Sequence, residues 1–124
     1  MIDRMHRYVR IATLCAALLL PACMTRPPPP IARDLSPKPD EARSQFDERI
    51  RQRFPTGSDE AGLLAELRKE GFKIWYRNDP ADKYGSHAEY EGGRFPCDHH
   101  WSVSWNASAG KITDIASYYH TVCL

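Results

Sequence analysis

Apolar residues recur at every fourth position from Ala42 through Phe46 and Ile50 to Phe54. That spacing lays one hydrophobic stripe along a helix over residues 41–54. Between the stripe positions lie Arg43, Asp47, Glu48, Arg49, Arg51 and Arg53, a charged, solvated surface. Pro55-Thr56-Gly57 breaks the helix. Ser58 then offers an N-cap, with Asp59 and Glu60 in the first turn, where the helix dipole favours negative charge. Ala61, Leu63, Leu64 and Leu67 give the second helix a buried face. Gly71 supplies its stop, and Phe72 the hydrophobic contact that follows such a stop.

Beyond Gly71 the pattern turns to strands. Residues 72–77 (Phe-Lys-Ile-Trp-Tyr-Arg) are rich in β-formers, and residues 78–82 read as a turn. A short strand is expected over 88–90, and Glu91-Gly92-Gly93-Arg94 reads as another turn. Trp101-Ser102-Val103-Ser104-Trp105 alternates strictly, the signature of a half-buried antiparallel strand. After a turn at 108–111, residues 111–123 form its partner. Ile112, Ile115 and Val122 do not share one parity there, so a bulge near Asp114 is expected. The whole predicts an α+β domain over residues 41–124, with two N-terminal helices packed on one face of a small antiparallel sheet of three to four strands.

The N-terminal segment carries an address. Arg4, Arg7 and Arg10 precede an apolar run from Ile11 to Leu20. Ten helical residues rise about 15 Å, half of a bilayer core, which suits a signal peptide and not a membrane span. Leu20-Pro21-Ala22-Cys23 follows and resembles a lipobox, the motif at which bacterial lipoprotein precursors are acylated and cut. The resemblance implies a signal peptide over 1–22 and a diacylglyceryl (palmitate-type) lipid on Cys23. Met24, in place of an aspartate, favours the outer membrane over the inner. Residues 23–40 would be the tether. Six of the ten prolines fall between Pro27 and Pro39. Pro27 to Pro30 should form stiff polyproline II that stays out of the core and spaces the domain from the membrane.

Cysteine arithmetic agrees with this reading. Cys15 leaves with the signal peptide, and lipid on Cys23 leaves Cys97 and Cys123 as an even pair for a disulfide in an oxidising compartment. Charge excludes one class of partner. Losing the first 22 residues, with Arg4, Arg7, Arg10 and Asp3, leaves 14 basic and 15 acidic residues. So small a net charge supplies no field to gather nucleic acid. Asp98-His99-His100, with His87 and His120, is the one cluster suggesting a metal. Adjacent strand residues point to opposite faces, and no spaced histidine motif is present, so no metal site is expected. No serine sits in a nucleophile motif and no acid pair has a set separation. No catalytic residue and no cofactor beyond the lipid on Cys23 are expected.

Aromatic residues crowd the strands. Trp75, Tyr76, Tyr118 and Tyr119 are the candidate interaction surface, because an open sheet face with aromatic residues suits protein binding. The unit from Phe54-Pro55-Thr56-Gly57-Ser58 through Leu64, Leu67, Gly71 and Phe72, with the hairpin from Trp101 to Ile115, resembles outer-membrane assembly lipoproteins of the BamE (SmpA/OmlA) type. In outline it is also similar to β-lactamase-inhibitor-like domains. The resemblance covers residues 41–124 and assigns no functional residue; the disulfide and the proline stalk are not part of the family pattern. The lipobox-like segment and the aromatic sheet face together point to a non-enzymatic envelope lipoprotein, anchored in a membrane and facing the periplasm, that binds an envelope protein as an interaction or assembly module. The alternative is an inhibitor or immunity-type lipoprotein that blocks a periplasmic enzyme with residues 78–96.

Overall fold

The computed structural model describes residues 25–124. The expected signal peptide and the expected lipidation site, Cys23, lie outside the described residues. The chain runs β1 (Thr25–Arg26), a short 3-10 turn (Pro30–Ala32), α1 (Pro39–Arg53), α2 (Glu60–Lys69), β2 (Lys73–Tyr76), β3 (Ser86–Arg94), β4 (Cys97–Ser108) and β5 (Lys111–Cys123). It is an α+β fold with two α-helices, one antiparallel sheet and one disulfide, Cys97–Cys123. The sheet has five strands, not three to four. β3, β4 and β5 form a meander, and the free edge of β3 pairs with β2 along its first half and with β1 at its end.

Local chemistry explains the helices. Pro39 opens α1 where a missing N–H costs nothing, acids occupy its first turn, and Arg51 and Arg53 its last. Ala42, Phe46 and Ile50 are buried on its apolar stripe, and Phe54 follows them. Ser58 does not cap α2. Its hydroxyl donates to the Pro55 carbonyl, and its own carbonyl accepts from the Ile112 N–H at 2.9 Å, which leaves Asp59 at the cap position. The loop before α2 is thereby stitched to the start of β5. At the other end Gly71 takes φ +93°. The Phe72 N–H reaches the Leu67 carbonyl at 2.9 Å and the Gly71 N–H that of Arg68 at 3.0 Å, a complete Schellman closure.

The sheet's rows follow from register. Ala88, Val103 and Ser117 share one row, Tyr90, Trp101 and Tyr119 the next, and Trp105 and Ile115 a third. All but Ser117 are buried, in one cluster with Phe46, Ile50, Leu63, Leu67 and Phe72. Ser117 donates its N–H and its hydroxyl to Asp47 of α1 at 3.1 and 3.0 Å. Trp105, fully buried, donates its indole N–H to Glu60 at 2.9 Å. The ladder shifts register beside Asn106, leaving Thr113 as the extra residue on β5. That bulge next to Asp114 lets Ile112 and Ile115, three apart, both enter the core. Ala109 and Gly110, both at positive φ, make the two-residue hairpin turn.

Two further expectations fail. Glu91 to Arg94 is the end of β3 and not a turn; the chain reverses at Phe95-Pro96 instead. Residues 25–37 do not stand clear of the domain. Pro29, Ile31 and Ala32 are buried, and β1 is part of the sheet. The Tyr90 hydroxyl donates to the Pro27 carbonyl at 2.7 Å, the Ile31 N–H to Glu70 at 3.0 Å, and Arg49 to the Ile31 carbonyl at 3.2 Å. Prolines bring no N–H, so this segment carries few donors that burial must satisfy. Stiffness did not keep it out. Among the described residues, no helix is long and apolar enough to cross a membrane.

Candidate functional site

Alternation places the remaining strand residues on the opposite face of the sheet. Its rows are Trp75, His87, Ser104 and Ala116; then Lys73, Glu89, Ser102 and Tyr118; then Glu91, His100 and His120. Every one of these is half-buried or exposed, in contrast to the sealed rows behind them.

At one end the Trp75 ring stacks on His87, centroids 4.1 Å apart, with the Arg77 guanidinium 5.4 Å from the indole. Both nitrogens of His87 are engaged: Nε2 meets the Tyr84 carbonyl and Nδ1 the Ser104 hydroxyl, each at 2.9 Å. Nε2 also lies 3.2 Å from Asp82. The Tyr84 N–H, then the nearby His87 and Arg77, hold the Asp82 carboxyl below its ordinary range. His87 is thus a fixed support for Trp75, and its nitrogens are not free to bind a metal. The 77–85 loop is tied to the sheet as well. Asn106 accepts from the Gly85 N–H and donates to the Lys83 carbonyl, both at 2.9 Å.

At the other end the His100 and His120 rings lie parallel, 4.6 Å apart, and Tyr118 leans on His120 at 5.7 Å. His100 Nδ1 sits 3.5 Å from Glu91 and 3.9 Å from Glu89. These three donor groups lie within 4.8 Å of one another. Arg43 of α1 lies 5.0 Å from the Tyr118 ring and donates to the Tyr119 carbonyl. The face therefore alternates aromatic, imidazole and carboxylate groups, with Trp75 39 % and Tyr118 50 % exposed.

The candidate interaction residues divide. Trp75 and Tyr118 share the open face. Tyr76 is exposed, but its row partners Ser86 and Trp105 put it on the other side, at the sheet edge. Tyr119 is buried, its hydroxyl 2.7 Å from His99 Nδ1. His99 and His100 point to opposite faces, as alternation requires. Sequence reasoning missed Glu89 and Glu91 beside His100. The i, i+2 spacing of His87, Glu89 and Glu91 carries that signal, but only once β3 is seen to run through Glu91. The 78–96 segment is not one loop, because residues 86–94 are β3.

Comparison with known proteins finds no matching family model, no matching curated protein and no matching solved structure.

Proposed function

We propose that this protein is a lipid-anchored envelope lipoprotein, held through Cys23 in the outer membrane and facing the periplasm, and that it binds an envelope protein with the open face of its sheet. It acts as a non-enzymatic interaction or assembly module, with both helices packed behind that face. One observation carries the reading. The sheet has one sealed face and one open face, and the open face presents half-exposed Trp75 and Tyr118 among supports that fix them. Large rings held in place contribute contact area at little entropic cost, the property of binding hot spots. The lipobox-like Leu20-Pro21-Ala22-Cys23 supplies the anchor.

Two experiments test it. Cys23→Ser should move the protein from the membrane fraction to the soluble envelope fraction; unchanged membrane retention defeats the anchor. Chemical cross-linking of the native protein in cells, read by mass spectrometry, should capture one dominant envelope protein. The Trp75→Ala/Tyr118→Ala variant should lose that capture while keeping its fold. Capture of a hydrolase through residues 77–85, untouched by the double substitution, would replace this reading with the inhibitor one.

A further inference from the structure

We infer that the end of the sheet nearest the anchor is a membrane-contact rim, on which Phe95, Val122 and Leu124 rest in the bilayer interface. The inference rests on the lipoprotein reading of Cys23 and adds an orientation to it.

The rim is assembled by the fold. Thr25 pairs with Arg94, and the chain then turns through Phe95-Pro96 into Cys97. Cys97 is bonded to Cys123, and the Leu124 N–H donates to the Pro96 carbonyl at 3.0 Å. The start of β1, the β3–β4 turn and the end of β5 are thereby gathered in one place. Three apolar side chains stand out there: Phe95 is 70 %, Val122 49 % and Leu124 96 % exposed. Phe95 is the more telling of these. It sits in the turn between Arg94 and Pro96, with its ring presented outward.

Chain length decides what covers the rim. Only Met24 separates Cys23 from Thr25. Two residues span about 7 Å at full extension. Because residues 25–37 are folded onto the domain, no spacer is left between an acylated Cys23 and β1. The acyl chains then enter the bilayer within about 7 Å of this rim, which brings it to the headgroup level. Apolar side chains at that depth exchange water for acyl chain, and Arg94, next to Phe95 in the chain, suits the headgroup phosphates, while the Arg26 guanidinium is turned away over the Tyr90 ring. Asp98 is the acid on the same rim. Strands β3 to β5 then rise from the membrane. The Ala109-Gly110 turn stands at the far end of β4, twelve residues away, or about 40 Å. In this pose the open face is presented sideways to the periplasm and is not pressed onto lipid.

The test uses the mature lipidated protein, residues 23–124, in phosphatidylethanolamine–phosphatidylglycerol vesicles. A nitroxide side chain replaces Phe95 in one preparation and Ser108 in another, and its accessibility to oxygen and to a water-soluble nickel chelate is read by electron paramagnetic resonance. The expected result is a several-fold higher oxygen-to-nickel ratio at position 95 than at position 108. Equal, water-like ratios at both positions, with the protein still bound to the vesicles, overturn the rim while leaving the anchor intact. Protein that fails to stay with the vesicles defeats the anchor itself. The Cys23→Ser protein, which should not float with vesicles, calibrates that outcome.

Discussion

Removing the Cys97–Cys123 bond should lower the melting temperature by about 14–28 °C. The two cysteines face each other in the β4–β5 register, at the end of the ladder opposite the Ala109-Gly110 turn, with Cα atoms 4.1 Å apart. The bond closes a loop of sequence separation 26. Loop-closure entropy for that length is worth about 3.5 kcal/mol at 25 °C. Domains of this size have a total stability of about 5–15 kcal/mol, so the bond supplies a quarter or more of it. Each kcal/mol shifts the midpoint by roughly 4–8 °C, which gives the range above. Neither cysteine lies in the buried core, so the double substitution Cys97→Ala/Cys123→Ala removes the cross-link and little packing. The double variant also avoids a free thiol. Thermal unfolding followed by circular dichroism measures the shift directly. A fall of less than about 5 °C would mean that the bond barely restricts the unfolded chain, contrary to this expectation.

Other substitutions test other joints of the fold. Burial alone would raise the Asp47 carboxyl, but hydrogen bonds from Arg51 and from Ser117 prevail and hold it below its ordinary range. A depressed carboxylate stabilises fully above its unfolded value of about 4, and that contribution is lost as pH falls through the lower folded value. Asp47→Ala should therefore cost about 1–3 kcal/mol at pH 7 in urea titrations, and the gap from wild type should narrow below about pH 4; a gap independent of pH contradicts this. Gly71→Ala places a side chain at φ +93°, with its Cβ 3.3 Å from the Tyr90 ring, and should cost about 1–2 kcal/mol; an unchanged urea midpoint would show that the Schellman closure is not needed. Glu70 is 6 % exposed at its side chain and joins the Ile31 N–H to Arg53. Glu70→Ala should speed hydrogen exchange at the Ile31 amide, and unaltered protection would mean that other contacts hold the proline segment down.

The helices were legible because their apolar residues keep a spacing of four and because Gly71-Phe72 is a distinctive stop. Trp101, Val103 and Trp105 were legible because alternation is unambiguous over five residues. Glycine misled at Gly92-Gly93, since it marks turns and close approaches alike. Here Gly93 lies inside a strand at φ +117°, where a Cβ would fall 2.6 Å from the Cys97 carbonyl oxygen. Truncating β3 there also hid Glu89 and Glu91 from His100. The proline segment misleads because rigidity does not exclude burial: its lack of N–H groups makes burial tolerable. Of the four aromatic surface candidates, the sequence could say that Tyr118 and Tyr119 point opposite ways. It could not say which of them faces the core, because that depends on register against Trp101 and Ser102.

On the reading proposed above, the open sheet face is the working surface of an anchored protein. Site-specific photo-cross-linking in living cells tests it most directly, with a photoreactive residue replacing Trp75 or Tyr118 on the face, or Asp79 in the β2–β3 loop. One discrete cross-linked envelope protein is expected from positions 75 and 118, and none from position 79. Cross-links from position 79 alone, or from no position on the face, would contradict it.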